Sequence, residues 1–458
     1  MATKTTARSA GYRCSECGWS AVKWVGRCSE CQAWGTVSEV GAVTVRTIAS
    51  ANIEKPALRI GDVDASGAEA RTTGVSELDR VLGGGLVPGA VVLVAGEPGI
   101  GKSTLMLDVA ARAAGGKETV LYVSGEESMA QVRMRAERIE AMAKNLFLAA
   151  ETDLATVLGQ IEKVGPDLVV IDSVQTIASS EVEGSAGNVS QIREVAASLI
   201  QLAKARGISI LLVGHVTKDG SIAGPKVLEH LVDVVVHFEG DRHSRLRLIR
   251  AVKNRYGPTD EVGCFDLSDV GIVGLPDPSG LFLSSRDRVV PGTCVTVTLE
   301  GKRPLVTEVQ ALLAATTAAS PRRTTSGLDS SRVAMILAVL DKRAGVAVRQ
   351  ADCYVSTVGG IKLTEPASDL AIALAMASSV VERALPLGAV AMGEVGLAGE
   401  IRAVTGIPRR LAEAARLGFR GAVVPAGSLG SGPIPEGMQV VEVTDIHQAV
   451  SLMTQLVS

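Results

Sequence analysis

The sequence lacks several features that would assign it to a broad class at once. Its longest apolar stretches, such as residues 370–381, are too short and too interrupted to span a bilayer. Residues 1–11 are polar and have no apolar core, so no secretory leader is expected. The formal net charge of −3 gives no overall attraction to nucleic acid. Any nucleic-acid binding must therefore come from local clusters, and no membrane span is predicted.

Disulfide pairing is not indicated either. The chain has seven cysteines, an odd number, and four of them lie in two Cys-x-x-Cys pairs near the start. This arrangement suits a metal ion better than disulfides, so a reducing, cytoplasmic location is expected. The remaining composition, with 47% hydrophobic and 21% charged residues in 458, is that of a globular protein with two or three domains.

The two Cys-x-x-Cys pairs are separated by ten residues and predict a small metal-held module over residues 1–40. Four thiolates from two tight turns close a structural zinc site, with iron as the competing ion and four unrelated thiols as the other alternative. All three tryptophans, Trp19, Trp24 and Trp34, lie in this segment. They could stack on bases, but a core for the small module is favoured. The predicted Zn²⁺ ligands are Cys14, Cys17, Cys28 and Cys31.

Residues 41–71 lose hydrophobic periodicity and are predicted to be a linker. Beyond it, residues 96–104 match the phosphate-binding loop pattern, in which four residues separate two glycines that precede Lys and Ser or Thr. A buried strand is predicted over 91–95 and a helix over 105–110, which disfavours a chance glycine-rich turn. The predicted phosphate-binding residues are Gly96, Glu97, Pro98, Gly99, Ile100, Gly101, Lys102, Ser103 and Thr104.

The residue types of this loop suit the binding of a polyphosphate. Glycine lets the backbone approach a polyphosphate, and the amide groups and the start of the next helix then face the anion. Lys102 is expected to reach the β- and γ-phosphates of ATP, and the Ser103 hydroxyl to hold Mg²⁺. Asp172 follows four apolar residues, 168–171, and an acid at the end of such a strand is expected to hold Mg²⁺ through water.

The loop is preceded by a segment over 73–86 that contains Thr-Gly, Leu-Asp and Gly-Gly-Gly, and together they resemble the RecA superfamily. The alternation of strands and helices predicts a parallel sheet independently. In RecA-like enzymes a glutamate at the end of the next strand polarises the attacking water. The resemblance assigns that role to Glu126, with Glu127 as the alternate and an acidic helix start as the structural alternative. His215 ends a predicted strand over 208–215 and could sense the γ-phosphate or be structural.

Two loops rich in Gly and Ser, residues 179–190 and 217–226, follow predicted strands. The RecA resemblance implies that such loops face a central DNA strand, whereas sequence alone predicts only mobile loops. Residues 245–250 partly alternate and predict a strand with one basic face. The candidate DNA contacts are Lys218, Lys226, Arg245 and Arg247.

The segment Lys253-Asn254-Arg255-Tyr256-Gly257 narrows the resemblance. Combined with the four cysteines and the ATPase core, it resembles the bacterial RadA/Sms family of DNA-repair proteins, which usually has Phe where Tyr256 stands. The resemblance implies that Lys253 and Arg255 reach a neighbouring subunit's γ-phosphate. A solvated basic edge strand is the alternative.

The resemblance also implies a DNA-dependent ATPase that forms a ring, expected to be a hexamer. It would bind single-stranded and branched DNA, promote branch migration of recombination intermediates and act beside a RecA-type recombinase. A signalling ATPase with a protein partner and an ATP-dependent peptidase are the alternatives. They predict, respectively, turnover that is indifferent to DNA and cleavage of protein substrates.

Residues 393–401 read Gly-Glu-Val-Gly-Leu-Ala-Gly-Glu-Ile and resemble the Lon protease catalytic domain. The resemblance covers residues 283–458, and residues 72–275 would be the ATPase domain. Ala367 follows Pro366 where Lon has its serine, with Ser368 one place late, and Pro408 stands at or beside the lysine position. The resemblance therefore implies a scaffold without peptidase activity. Its candidate basic surface comprises Arg402, Arg409, Arg410 and Arg416. The expected fold class is α/β: a RecA-like parallel-sheet core with an N-terminal zinc ribbon and a C-terminal Lon-protease-like α+β domain.

Overall fold

The computed structural model describes residues 11–39, 57–215, 224–240, 245–268, 270–283, 290–430 and 432–455. The chain divides into two compact units, residues 1–64 and residues 65–458. The predicted linker over 41–71 spans this division, and its residues 41–56 lie outside the described ranges. Among the described residues, no helix has both the length and the apolar character needed to cross a membrane.

The first unit contains a three-stranded antiparallel ribbon. Its strands are β1 (Tyr12–Cys14), β2 (Ser20–Ala21) and β3 (Val37–Glu39), with β1 in the middle. The predicted N-terminal ribbon is confirmed.

The tryptophans of the ribbon do not share one environment. Trp19 packs against the buried Cys14, Cys28 and Val37, as predicted for a core residue. Trp24 and Trp34 are 63% and 74% exposed. The prediction that all three rings form the core is therefore wrong for these two, because a module this small encloses only a few side chains.

The second unit begins with a nine-stranded sheet. Its strands are β4 (Val91–Gly96), β5 (Val120–Ser124), β6 (Leu146–Ala150), β7 (Leu168–Asp172), β8 (Ser209–His215), β9 (Val234–Glu239), β10 (Leu246–Asn254), β11 (Val262–Ser268) and β12 (Gly271–Gly274). The order across the sheet is β12-β11-β10-β9-β4-β8-β7-β5-β6. The six strands from β9 to β6 are parallel, and β10, β11 and β12 extend the sheet in antiparallel fashion.

The helices of this part are α1 (Ser76–Leu82), α2 (Lys102–Gly115), α3 (Met129–Arg138), α4 (Leu154–Val164), α5 (Val189–Arg206) and α6 (Gly224–Glu229). Local signals fix several of their ends. Ser128 and Gln131 form a reciprocal capping box at the start of α3, and Asp153 caps α4. Gly165 and Gly207 end α4 and α5 in the left-handed conformation that glycine adopts without strain.

The predicted parallel-sheet α/β core is confirmed. Every residue of β4, β5 and β7 is buried, because parallel strands are covered by helices on both faces and therefore consist of nearly continuous apolar runs. This burial explains why the strands over 91–95, 167–172 and 208–215 could be predicted from short apolar segments.

A seven-stranded mixed sheet forms the carboxyl-terminal part, with the order β15-β16-β14-β13-β17-β20-β21, and β18 pairs with β19 outside it. The strands are β13 (Thr293–Glu300), β14 (Arg303–Ala315), β15 (Arg323–Ser326), β16 (Ala351–Thr357), β17 (Ala389–Ala391), β18 (Glu394–Val395), β19 (Ile401–Arg402), β20 (Gly421–Pro425) and β21 (Gln439–Val443). The helices are α7 (Ser330–Arg343), α8 (Asp369–Val381), α9 (Ile407–Arg416) and α10 (Ile446–Gln455). The helices predicted over 331–340 and 370–381 are confirmed as α7 and α8.

The two sheets of the second unit are joined by a buried ion pair. Glu77 on α1 is 1% exposed and pairs with Arg303 on β14, which is 7% exposed. Arg303 also donates to the main-chain oxygens of Leu275 and Pro276, both at 2.8 Å. The boundary predicted between residues 275 and 283 falls between the two sheets, within this single compact unit.

Candidate nucleotide-binding site and metal centre

The loop between β4 and α2 has the backbone that its glycines predict. Gly99 and Gly101 have φ values of 77° and 110°, a region that favours glycine. A Cβ at Gly96 would lie 2.7 Å from the carbonyl oxygen of Phe238, so a side chain there would clash with the neighbouring strand. Within the described residues no side chain caps α2, which leaves its first amide groups available to an anion.

Lys102, the first residue of α2, is 3% exposed. Its Nζ donates to the main-chain oxygens of Gly96 and Glu97, each at 2.8 Å, and lies 3.2 Å from Nδ1 of His215. Burial lowers the pKa of Lys102 to about 8, although the carboxylates of Asp172 and Glu126 favour its charged form. A buried amine held by main-chain oxygens is well suited to bind phosphate, because the anion would favour the charged form that burial disfavours.

Glu126 and His215 extend the set of polar contacts that begins at Lys102. Nε2 of His215 lies 3.1 Å from Oε1 of Glu126, and the Ser173 hydroxyl donates to the same oxygen at 2.6 Å. Lys102, His215, Glu126 and Ser173 therefore form one connected set, which we call the phosphate-loop cluster. The alternate acid, Glu127, pairs with Arg135 on α3 instead and lies outside the cluster.

Asp172 ends β7 and is 6% exposed. The Tyr122 hydroxyl donates to its Oδ2 at 2.5 Å, and burial, together with the charge of Asp172, raises the pKa of Tyr122 well above its ordinary value. Tyr122 thus holds the carboxylate that the sequence assigns to Mg²⁺. Sequence reasoning missed both Tyr122 and Ser173, because neither belongs to a motif; only their positions on and beside the two motif strands could have indicated them.

Lys253 and Arg255 lie away from this cluster. Lys253 is in register with Val235, and its Nζ donates to the main-chain oxygens of Glu229 and Val232 at 2.9 and 2.8 Å. Arg255 contacts Asp233 at 3.2 Å, and Asp233 accepts from the amide of Val91, where β4 begins. The phosphate loop follows the other end of β4, five residues further on, or about 16 Å along the strand.

The four candidate DNA contacts lie in different environments. Lys218 lies outside the described residues, and Lys226 lies on α6. Arg245 is exposed and pairs with Asp266. Arg247 is 5% exposed, and its Nε donates to the main-chain oxygen of Ile100 at 3.2 Å. This burial does not fit a DNA contact at Arg247, because a strand of DNA would have almost no guanidinium surface to reach, and the predicted basic face of β10 is not formed.

The carboxyl-terminal part also contains a buried polar set. Arg410 is fully buried and pairs with Glu365, while its Nη1 and Nε donate to the main-chain oxygens of Val297 and Thr405 at 2.6 and 2.9 Å. Glu365 also accepts from the Thr298 hydroxyl at 3.0 Å. We call Arg410, Glu365 and Thr298 the Arg410 cluster. The expectation that Arg410 belongs to a basic surface is wrong, because its charge is used inside the fold.

The other arginines predicted for the basic surface of this part also have ion-pair or hydrogen-bond partners. Arg402 pairs with Glu394 and Glu400, and Arg416 pairs with Glu413 and Asp277. Arg409 donates to the main-chain oxygen of Lys302 at 3.0 Å.

Ser368 has no nucleophilic geometry. It is 2% exposed, and its hydroxyl donates to the main-chain oxygen of Glu365 at 2.8 Å. A serine nucleophile needs an adjacent base and access to substrate.

The four cysteines of the ribbon meet in one place. Their sulfur atoms all lie within 4.8 Å of one another, with Cys14 and Cys31 at 3.7 Å and Cys17 and Cys28 at 3.6 Å. Four sulfurs bound at about 2.3 Å around a tetrahedral zinc ion would be separated by about 3.8 Å. The donor set and its spacing therefore fit zinc.

Known proteins resemble the chain over nearly its whole length. It is 54% identical over 453 residues to the DNA repair protein RadA of Mycobacterium tuberculosis (strain ATCC 25618 / H37Rv), a match covering 97% of this chain and 93% of that one. The chain belongs to the RadA family. Two further RadA proteins match: that of Mycolicibacterium smegmatis is 54% identical, covering 97% of each chain, and that of Streptococcus pyogenes serotype M1 is 46% identical, covering 97% and 98%.

Three family models match separate parts of this RadA-family chain. Residues 12–39 match a rubredoxin metal binding domain, residues 54–221 an AAA domain, and residues 305–428 the subunit ChlI of Mg-chelatase. The chain is accordingly a RadA-family ATPase that uses ATP with Mg²⁺ and binds Zn²⁺ through its ribbon. A KaiC-like protein from Pyrococcus horikoshii OT3 aligns with 46% of the chain and 100% of its own at 20% identity and a TM-score of 0.38.

Proposed function

We propose that this chain is a DNA-dependent ATPase of recombinational repair that works as a ring of identical subunits. It binds single-stranded and branched DNA, promotes branch migration of recombination intermediates and acts beside a RecA-type recombinase. The ring is a hexamer. Membership of the family of DNA repair proteins supports the role in repair, and the matching AAA domain supports hydrolysis.

The observation that carries the proposal is the position of Lys253 and Arg255. Both lie near the start of β4, whereas the phosphate loop follows its end. At about 16 Å along the strand, these side chains do not serve their own chain's nucleotide. Their charges become useful in hydrolysis when they face the γ-phosphate of the next subunit, where they neutralise developing charge and couple turnover to subunit movement.

Within each subunit the residues have separate roles. Lys102 and the loop amides bind the phosphates, Ser103 and Asp172 hold Mg²⁺, and Glu126 orients the attacking water. His215, between Lys102 and Glu126, reports whether the γ-phosphate is present. Bound ATP supplies the phosphoryl group that is transferred to water.

The other parts of the chain support the motor. Residues 1–40 form the zinc module, 41–71 the linker, 72–275 the ATPase domain, and 283–458 a Lon-protease-like scaffold without peptidase activity. The buried Ser368 and the internally paired Arg410 favour a scaffold over a peptidase.

The proposal is tested by measuring ATP turnover with and without single-stranded DNA, with Lys102→Ala as the control that has no competent loop. We expect turnover that rises several-fold with DNA, and a particle of six subunits by light scattering in the presence of nucleotide. Turnover that is indifferent to DNA would favour an ATPase whose partner is a protein.

A further inference from the structure

Arg247 lies where no motif of the sequence requires an arginine. It is on β10, two residues into the strand, and its side chain is 5% exposed. Its Nε donates to the main-chain oxygen of Ile100 at 3.2 Å, and its Nη1 donates to that of Leu246 at 2.9 Å. A long-range hydrogen bond from a buried guanidinium thus reaches the middle of the phosphate loop.

The surrounding residues are shaped to admit this side chain. A Cβ at Gly240 would lie 2.5 Å from Cδ of Arg247, so a larger residue at this end of β9 would displace it. On the other side of the contact, a Cβ at Gly101 would lie 2.7 Å from Cδ1 of Ile272 on β12. The antiparallel extension of the sheet therefore contacts the loop through Arg247 and through Ile272.

The bonded carbonyl is the one that matters for an anion. The peptide between Ile100 and Gly101 is a rigid plane in which the carbonyl and the following N–H point in opposite directions. Holding the Ile100 oxygen toward Arg247 therefore fixes the direction of the Gly101 amide, which immediately precedes α2. A phosphate-binding loop binds its ligand through amide groups that point at the anion, so the direction of each amide affects binding.

We propose that Arg247 is a positioning residue for the phosphate loop: it orients the Ile100–Gly101 peptide and thereby sets the affinity of the loop for the phosphates of ATP and ADP. This rests on the proposed function only in taking residues 96–104 as the nucleotide site. The same strand carries Lys253 six residues further on, about 20 Å away. Strand β10 therefore joins a chain's own nucleotide site to the end of the sheet that serves its neighbour.

The chain offers a matched control for this residue. Arg245 lies two residues earlier, is largely exposed and pairs with Asp266 rather than with the loop. Arg247→Gln removes the charge and the fork of donors, Arg247→Lys keeps the charge only, and Arg245→Gln removes a nearby charge without touching the loop. Binding of N-methylanthraniloyl-ADP and of the corresponding ATP analogue is measured by fluorescence in the full-length protein, together with KM and kcat for ATP and the affinity for single-stranded DNA.

In Arg247→Gln we expect the Kd for both nucleotides and the KM to rise about tenfold, the effect of one lost charge-assisted hydrogen bond, with kcat changed less than about twofold. Arg247→Lys should fall between wild type and Arg247→Gln, and Arg245→Gln should bind both nucleotides as wild type does. The affinity for DNA should stay unchanged in both Arg247 variants.

Wild-type nucleotide affinity in a folded Arg247→Gln, or in Arg247→Lys if the first variant does not fold, would overturn the proposal. So would a loss confined to DNA binding, which would restore the DNA-contact interpretation. Lys102→Ala in the same assay distinguishes an error in the proposed nucleotide site from an error in the role proposed for Arg247. If it binds nucleotide normally, residues 96–104 are not the nucleotide site; if it fails to bind while the Arg247 variants bind normally, only the role of Arg247 is wrong.

Discussion

The phosphate-loop cluster and the Arg410 cluster are both built around a buried cation, yet their partners differ. Lys102 is held by two main-chain oxygens and by His215. His215 in turn contacts Glu126, an acid whose side chain is 45% exposed. Arg410 is fully buried and is paired with a carboxylate that also accepts from Thr298. One cation lies beside groups that can exchange partners with a ligand, and the other is neutralised within the fold.

The contrast shows how a buried charge indicates function. A buried cation that is already paired and hydrogen-bonded has little to offer a substrate, and removing its partner mainly costs stability. A buried cation bonded to neutral oxygens has a lowered pKa and gains from meeting an anion. The degree of internal pairing, rather than burial alone, separates the candidate site from the structural set.

The largest effect is expected from Lys102→Ala. Without the amine, ATP hydrolysis should fall by about a hundredfold or more, because charge on the transferred phosphoryl group loses its nearest cation. Lys102→Arg should retain some nucleotide binding but no hydrolysis. Steady-state phosphate release measures both variants, and retained turnover in the two would place hydrolysis elsewhere.

The Arg410 cluster should respond in stability. Arg410→Met leaves the partly buried Glu365 without its cation and should lower the free energy of unfolding by about 3 kcal/mol, the low end of the cost of breaking a buried pair. Arg416→Met on the same helix is the control, since its pairs are exposed and should contribute about 1 kcal/mol or less. Urea unfolding followed by circular dichroism measures the difference.

A second variant keeps this test informative. Adding Glu365→Gln to Arg410→Met removes the unpaired charge and should recover part of the loss. A loss in Arg410→Met no larger than that in Arg416→Met would contradict the structural role of the cluster.

The sequence could predict those parts of the molecule that depend on local pattern. The glycines at 99 and 101, the apolar strands and the four cysteines each indicate their geometry over a few residues. Arg247 and Arg410 could not be interpreted in this way. Their partners, Ile100 and Glu365, lie 147 and 45 residues away, so the sequence shows only charged residues that usually face solvent.

The contact of Lys102 with His215 could be predicted only in part from the sequence. The two residues lie 113 positions apart, but both end or follow parallel strands that are neighbours in the sheet. Because such strands meet at one edge, the sequence could place both residues near the ligand edge without predicting their hydrogen bond.

The pH dependence of nucleotide binding should distinguish the two cations further. The pKa of Lys102 is lowered to about 8 in the free protein, and bound phosphates should raise it again. Below pH about 8 the amine is already charged, so this group leaves the Kd unchanged; above it, binding must take up a proton and weakens by up to about tenfold per pH unit. Fluorescent ADP titrations across this range measure the effect.

Lys102→Arg supplies the control, since its side chain stays charged throughout. Its affinity should show no such weakening above pH 8. An equal slope in wild type and Lys102→Arg would assign the proton to another group.

The smallest effect is expected at Ser368. Ser368→Ala removes one buried hydrogen bond and should lower the free energy of unfolding by about 1 kcal/mol, with turnover of ATP unchanged. Neither wild type nor variant should degrade casein in the presence of ATP. Degradation by the wild type that the variant loses would reverse the interpretation of the carboxyl-terminal part as a scaffold.

The central claim, that hydrolysis is completed across a subunit boundary, is tested most directly by mixing two chains that should each fail to hydrolyse ATP alone. Lys253→Ala keeps its phosphate loop, and Lys102→Ala keeps Lys253 and Arg255. With subunit exchange verified by fluorescence energy transfer between labelled chains, mixed rings contain boundaries that pair an intact loop with an intact Lys253. We predict that ATP hydrolysis partly returns and depends on the mixing ratio. Confirmed exchange with no recovery at any ratio would contradict the claim.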